Sequence, residues 1–265
     1  MYVKPKKGLG QHFLNDEDIA WRIVKALFDL LDQHQNNSPT MGVMEVGAGT
    51  GVLTKYLIKR EDIDFKIAEI DTESVEFLLQ KYPQLSSKLH EEDFLRMKLE
   101  KFFPGEFCII GNFPYNISSQ IFFKILDYKE QIPYAVGMVQ KEVAERLASP
   151  HGNKAYGILS VLLQAWYDIE YLFTVEPHVF TPPPKVSSAV ISIKRNNRKE
   201  LGCDEELFKK VVKTAFNQRR KTIRNSLKPI MTEYDIEDSP LLNLRPEQLS
   251  VESFIELVSL LKKRI

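Results

Sequence analysis

The run Phe107-Cys108-Ile109-Ile110-Gly111-Asn112-Phe113-Pro114-Tyr115 takes an apolar stretch into an amide, a proline and a phenol. Its first half has the β-branched and aromatic residues of a central strand, and open α/β sheets bind ligands outside the carboxyl ends of their strands. The Asn-Phe-Pro-Tyr turn is therefore expected to face a pocket. Pro114 lacks an N–H and biases Phe113 towards an extended backbone, so the Phe113 carbonyl and the Asn112 side chain can converge as two rigid acceptors. An exocyclic amine conjugated to an aromatic ring is a poor nucleophile. Accepting hydrogen bonds from both its hydrogens draws its lone pair out of conjugation, and Tyr115 is placed to stack on the ring that carries it. Taken alone, the same segment also reads as a strand-end turn whose Asn112 caps Ser118-Ser119 and whose Tyr115 packs in the core.

A second signal lies in Val43-Met44-Glu45-Val46-Gly47-Ala48-Gly49-Thr50-Gly51, a strand running into a glycine-rich turn and then a helix to about Lys59. A dinucleotide fingerprint needs G-x-G-x-x-G or Ala; here Gly51 arrives one residue early and Val52 holds the third position, which disfavours NAD. A G-x-G-x-G turn preceded by an acid suits S-adenosylmethionine, whose amino-acid head can approach bare backbone. A buried carboxylate is costly unless paired, and the ligand's ammonium group would pair Glu45, directly or through water. The strand Phe65 to Asp71 ends in acids about twenty residues past the glycines, where ribose hydroxyls are read. Glu69 and Asp71 share a face, and either is placed to accept both hydroxyls. A short strand, Leu89 to Glu91, delivers Asp93 to the same edge, where it can accept from an adenine amine while Phe94 touches the ring, or stand equally well as a solvated loop acid.

These groups need a sheet to hold them, and the chain is long enough to build one. Its 265 residues, 43% of them apolar, can bury a full core beside a second, smaller unit. With 36 basic and 36 acidic residues the formal charge is zero, so any basic surface must be local. The two cysteines, Cys108 and Cys203, have no C-x-x-C partner, which argues against a disulfide framework or a zinc site and for the reduced cytoplasm. No metal is expected on that ground, and no membrane segment, because no apolar run approaches a spanning length.

Taken in order, a basic arm Lys4 to Leu14, holding Gly8, Gly10 and His12, leads into a helix capped by Asn15-Asp16. That helix has Ile19, Ile23, Ala26, Leu27, Leu30 and Leu31 at helical spacing, and the polar run Gln33 to Thr40 ends it. After the Asn112 loop come a helix from Ser118 to about Asp127, a strand Tyr134 to Val139, and helices Glu142 to Ala148 and Tyr156 to Gln164. The strands Trp166 to Val175 and Ser188 to Lys194 close the sheet as an antiparallel pair. Between them the proline-stiffened loop Val179 to Ser188 presents Phe180, placed to face Tyr115 across a target base; a core phenylalanine is the plainer reading.

Beyond Asn196 the composition shifts, with Asp204 capping a helix through Phe208, Val211, Val212 and Ala215. The expected division is an α/β domain over 1–196, mostly parallel with one antiparallel edge strand, and a small helical domain over 197–265. Between Lys194 and Lys228, 12 basic residues face 4 acidic ones, a local excess of 12 − 4 = +8. Arg220, Arg224 and Lys228 recur every four residues as one expected helical stripe, with Arg219 and Lys221 beside it. Phosphate binding to RNA is the reading of that surface; a merely solvated helix face is the plain alternative. Leu249 to Leu261 supplies a final amphipathic helix.

Together these segments resemble the ribosomal small-subunit RNA adenine dimethyltransferases. The resemblance runs through Lys7-Gly8-Leu9-Gly10-Gln11-His12-Phe13-Leu14, Glu45 to Gly51, Asn112 to Ser118, Phe180 to Ser188 and Ala215-Phe216-Asn217-Gln218-Arg219-Arg220-Lys221-Thr222. It implies a Rossmann-like fold and S-adenosylmethionine contacts from His12, Leu14, Gly47, Glu69, Asp93 and Asn112, choosing Glu69 over Asp71. Beside these stand Glu45 and Gly49, read from the turn itself. The resemblance also implies that Tyr115 and Phe180 hold an extruded adenine. The reaction is then direct transfer to N6, repeated after cofactor exchange because one N–H remains, on small-subunit rRNA in a pre-ribosomal particle, by a monomer. Three positions depart from the pattern. Ala48 stands where proline is common, Phe113 replaces the usual leucine and is expected to narrow the pocket, and Ser187 replaces an aspartate that would anchor the crossover loop. The large-subunit methyltransferases of macrolide resistance share the first four motifs, with Gln218-Arg219-Arg220-Lys221 leaning against them. An assembly factor that acts by binding the immature subunit is the alternative of another class.

Overall fold

Seven strands, in the order 89–91, 63–69, 41–46, 107–112, 134–140, 188–195 and 167–175, make one sheet, in a computed structural model that describes residues 3–34 and 40–264. In chain order the elements are β1 (Phe13–Leu14), α1 (Glu17–Asp32), β2 (Met41–Val46), α2 (Thr54–Leu57), β3 (Ile63–Glu69), α3 (Thr72–Lys81), β4 (Leu89–Glu91), β5 (Phe107–Asn112), α4 (Ser118–Asp127) and β6 (Tyr134–Gln140). They continue as α5 (Lys141–Ala148), α6 (Ile158–Gln164), β7 (Tyr167–Val175), β8 (Phe180–Thr181), β9 (Ser188–Arg195), α7 (Glu205–Asn217), α8 (Ile223–Ser226), β10 (Tyr234–Ile236), α9 (Val251–Ser259) and β11 (Leu261–Lys263).

β2 pairs in parallel with both β3 and β5, so the order reverses between β2 and β5. The loops leaving their carboxyl ends flank the crevice where such sheets bind ligands. Those loops are the glycine turn after Val46 and the Pro114-Tyr115 turn after Asn112. β6 extends the parallel set from β5, and β9 then runs antiparallel to β6, Tyr134 opposite Lys194 through Gln140 opposite Ser188. The antiparallel strand is therefore internal, with β7 beyond it, rather than at the edge as expected. The near-continuous burial of β2, β5 and β6 explains their apolar runs, since a parallel sheet covered on both faces exposes neither side of its strands.

Helix α1 shows how local signals and packing cooperate. The Asp16 carboxylate accepts from the Ile19 N–H at 3.0 Å, a cap worth about 1 kcal/mol. Ala20, Ile23, Val24 and Leu27 are fully buried where the helix packs on β6 and β9. Burial of each large aliphatic contributes roughly 1.5–3 kcal/mol, so a charge at Ile23 would undo this face. The helix closes at Asp32 with Gln33 as C-cap; of the polar run 33–40, residues 35–39 lie outside the described residues.

The chain divides into two compact units, Met1–Ala144 with Ile169–Arg195, and Glu145–Asp168 with Asn196–Ile265. One passage between the units falls at residue 196, but 145–168 groups with the carboxyl-terminal segment rather than with the sheet domain. The reason is packing: α6 lies against α7 and α9, and Tyr156, Phe216 and Phe254 form an aromatic chain with centroids 6.1 and 6.0 Å apart. The Asp204 cap is as expected, its Oδ1 accepting from the Leu207 N–H at 2.6 Å. The helical stripe is not. α7 ends at Asn217, Thr222 is extended at ψ 157°, and only the four residues of α8 are helical beyond it. Arg220 thus sits in a turn, Arg224 in the short helix, and Lys228 past its end. Among the described residues no helix is long and apolar enough to cross a membrane.

Candidate active site

The glycine turn is built on left-handed backbone, with φ of 73° at Gly47, 54° at Gly49 and 78° at Gly51. L side chains rarely adopt these values. At Gly49 space is decisive too, because a Cβ there would lie 2.9 Å from the Phe13 ring. The Gly49 N–H donates to Glu69 Oε2 at 2.8 Å, and the Asp71 N–H donates to Glu69 Oε1 at 2.9 Å. A carboxylate has about four lone-pair positions, so two remain for hydroxyl donors. Burial pushes the Glu69 carboxyl above its ordinary range, against the pull of those two N–H groups.

Asp71 is occupied differently. Lys6 Nζ pairs with it, Gln11 Nε2 donates to it at 3.2 Å and Ser74 Oγ at 2.8 Å. Burial raises its pKa, but these three partners outweigh burial and leave it below the usual carboxylate range. Asp71 does not line the cavity that Glu69 lines. It fastens the amino-terminal arm instead.

Glu45 also lines the cavity. It is 1% exposed, and its carboxylate accepts from Thr54 Oγ1 at 2.7 Å. Desolvation pushes its pKa up to about 8, the Thr54 hydroxyl opposing and the Glu69 charge adding to the rise. A buried carboxyl held near neutrality without a cation suits a site that receives one.

The arm supplies the next wall. β1 pairs with β8, Phe13 opposite Thr181 and Leu14 opposite Phe180. The Asn15 N–H donates to the Val179 carbonyl at 2.9 Å, and Asn15 Nδ2 to Thr181 Oγ1 at 2.7 Å. His12 Nδ1 lies 2.8 Å from the Pro182 carbonyl, which only accepts, so that nitrogen carries the proton. Asn112 Nδ2 donates to the His12 carbonyl at 2.9 Å. The amide is thereby oriented with Oδ1 free of that bond, and Asn112 does not cap α4, which has no side-chain cap. His12 stacks on Tyr115, centroids 5.3 Å apart at 28°, while the Tyr115 hydroxyl is tied to Ser188 Oγ. Burial raises the Tyr115 pKa.

The cavity brings together His12, Leu14, Glu45, Gly47, Gly49, Glu69, Asp93, Asn112, Phe113, Pro114 and Tyr115, from five separate stretches of sequence. Asp93 Oδ1 accepts from the Leu95 N–H at 3.0 Å, which folds its loop. Phe180 is not brought there. It is 3% exposed in the apolar core with Leu14, because its strand pairing with the arm turns it inward; the residue facing Tyr115 is His12. Phe113 lines the cavity, but most of its ring is taken up elsewhere. Its side chain is 1% exposed and its ring lies over Gly137 and Gly111. The crossover loop, lacking the aspartate at 187, takes a carboxylate from elsewhere, with Ser187 Oγ donating to Glu176 Oε2 at 3.0 Å.

Lys124 is a functional neighbour that the sequence alone does not single out. Its ammonium donates to the Leu95 carbonyl at 3.1 Å and the Met97 carbonyl at 2.5 Å, under the Phe94 ring at 5.4 Å, so it holds the Asp93 loop from below; burial lowers its pKa. A basic residue on the apolar face of α4 is the signal available. Lys6 and Gln11 carry no such signal, since only folding brings them to Asp71.

A glycine turn and an Asn-Phe-Pro-Tyr loop meeting at the switch point of such a sheet mark the class of Rossmann-like S-adenosylmethionine-dependent methyltransferases. Among solved structures, a dimethyladenosine transferase from Plasmodium falciparum is similar in fold, with a TM-score of 0.75 at 21% identity, covering 93% of this chain and 96% of its own. The 23S rRNA methyltransferase ErmE gives 0.66 at 23%, covering 93% and 99%. Residues 3–263 match the family described as ribosomal RNA adenine dimethylase, and the chain belongs to that family. A curated relative, the ribosomal RNA small subunit methyltransferase A of Parabacteroides distasonis, is 58% identical over 265 residues, 99% of this chain and 96% of that protein.

Proposed function

We propose that this protein transfers methyl groups from S-adenosylmethionine to the N6 amines of adenines in small-subunit ribosomal RNA, twice per adenine, acting as a cytoplasmic monomer on a pre-ribosomal particle. The observation that carries the chemistry is the Asn112 amide, held through Nδ2 by the His12 carbonyl at 2.9 Å. With its donor end engaged, its acceptor end serves an incoming amine, and the Phe113 carbonyl, fixed by Pro114, is the second acceptor. Fit of the cofactor rests on the donor set, in which an uncompensated buried carboxyl, Glu45, receives the ammonium group, and Glu69 keeps two lone-pair positions for the ribose. Gly47 and Gly49 allow close backbone approach, and His12, Leu14, Asp93 and Asn112 complete the proposed contacts. The cofactor brings an activated methyl group, so the protein's task is orientation and polarisation of the amine. Tyr115 is assigned the stacking of the extruded adenine. His12 must then yield the Tyr115 face to the base or share it, and Phe180 supports the arm from the core. The small-subunit target is favoured over the large-subunit one by the 58% relative, whose name specifies the small subunit.

Mass spectrometry of ribosomal RNA adenines, with and without the gene, tests this reading. Loss of dimethyladenosine from the small-subunit rRNA alone is expected. Loss from the large subunit instead, or from neither, would overturn it.

A further inference from the structure

Gly111 and Gly137 are Cα partners on β5 and β6, and one ring lies over both. A Cβ built on Gly137 would lie 2.2 Å from Phe113 Cε2 and 2.8 Å from its Cδ2 and Cζ; one on Gly111 would lie 3.0 Å from Cδ1 and Cε1. Real Cβ atoms do not come within 2.2 Å of a ring carbon, so an alanine at 137 must displace the ring. The ring is buried, with Phe122 edge-on at 5.9 Å and 78°, and Phe113 lines the active-site cavity, so a displaced ring shifts the wall of the site. The backbone is tied as well, because the Phe113 N–H donates to the Met138 carbonyl at 3.0 Å, one step past the β5–β6 ladder. Close-packed interiors transmit such displacements rather than absorbing them.

From this we infer that Gly137 is a positioning residue for methyl transfer. Its missing side chain makes the hollow that seats the Phe113 ring, and the seated ring fixes where the Phe113 carbonyl and the neighbouring Asn112 amide present their oxygens to the amine. The inference rests on the reading of Asn112 and Phe113 as the acceptors. The ring at 113 is accommodated by a glycine on the next strand, outside the Asn-Phe-Pro-Tyr motif. Glycine inside a strand otherwise weakens it, and close approach of another group is a reason to keep one there.

The experiment is a double-mutant cycle on the full-length chain, using Gly137→Ala, Phe113→Leu and the two combined. Single-turnover transfer to immature small subunits is measured at saturating S-adenosylmethionine and particle, with cofactor Kd and melting temperature recorded for each variant. Gly137→Ala should lower transfer on the order of 10²-fold, the scale of a misplaced catalytic group, with cofactor Kd weakened far less, because Asn112 is one contact among several and the glycine turn and Glu69 lie on other strands. Leucine is shorter and can turn away from an added methyl, so the double variant should recover at least about ten-fold over Gly137→Ala, a strong departure from additivity. Full transfer by folded Gly137→Ala overturns the inference, as does a loss that persists undiminished in the double variant. If Gly137→Ala does not fold, the double variant decides: transfer within about three-fold of Phe113→Leu supports the seat, and a folded but inactive double variant refutes it. Asn112→Ala, run alongside, separates this from the reading beneath it. Normal transfer by Asn112→Ala removes the acceptor mechanism itself, whereas its inactivity with an additive cycle removes only the role of Gly137.

Discussion

Asn112 and His12, one hundred residues apart, are joined by a single hydrogen bond from the Asn112 side-chain nitrogen to the His12 carbonyl at 2.9 Å. The bond sets which end of the amide faces the cavity, and it couples the acceptor loop to an arm that is also fastened at Asp71 by Lys6 and Gln11.

On this basis Asn112→Ala should reduce single-turnover transfer by at least ~10²-fold at saturating cofactor, the usual cost of one lost transition-state hydrogen bond. Particle binding should stay near normal. Asn112→Asp, which keeps an acceptor but loses the donor to His12, should retain more transfer than alanine. Equal, near-complete activity in both would reduce the loop to a structural turn.

Glu69→Ala should weaken S-adenosylmethionine binding by roughly 1.5–3 kcal/mol for each charge-assisted hydrogen bond removed, with particle affinity little changed. Titration calorimetry reads this directly. Unchanged cofactor affinity would remove Glu69 from the ribose site.

Glu45 makes a pH prediction. Its pKa is raised from 4.5 to about 8, so its contribution to stability is complete below about pH 4.5 and is lost as pH rises through 8. Glu45→Gln should flatten the decline of melting temperature across that window. Pairing with a cationic ligand favours the carboxylate, so cofactor binding near pH 7 should release up to about one proton. Calorimetry in buffers of different ionisation enthalpy should detect that release in the natural protein and not in Glu45→Gln. A buffer-independent enthalpy in both would mean the ammonium group is held elsewhere.

The basic surface of the second unit divides into paired and unpaired cations. Arg224 Nη2 lies 2.5 Å from Asp238 and Arg219 Nε 3.6 Å from Glu247, whereas Arg220, Lys221 and Lys228 are exposed and, among the described residues, without an ion pair. Replacing the last three by alanine should weaken particle binding and flatten its logarithmic salt dependence by about 0.7–0.9 for each phosphate no longer neutralised. Arg224→Ala should change the slope less. An unaltered slope in the triple variant would make this a solvated surface.

What could be read from the sequence was whatever neighbours in the chain decide. Asp16 and Asp204 cap helices because a carboxylate three residues ahead reaches a free N–H. The Gly47, Gly49, Gly51 spacing marks a turn that only glycine forms easily, and the apolar run into Asn112 marks a buried strand ending at a pocket. Similarity of whole motifs carried the cofactor and the target beyond that. Tertiary structure alone decided which distant groups meet. His12 rather than Phe180 faces Tyr115 because the β1–β8 pairing turns Phe180 into the core beside Leu14. Lys6 and Gln11 occupy Asp71 and so leave the cavity to Glu69. Segment 145–168 joins the carboxyl-terminal unit because α6 finds its apolar partners in α7 and α9, and the basic stripe breaks because an extended Thr222 interrupts a spacing that still looks helical on paper. Phe113 is the sharpest case. Its effect on the pocket depends on a missing side chain at Gly137, and no periodicity in one strand reports an empty space in the next.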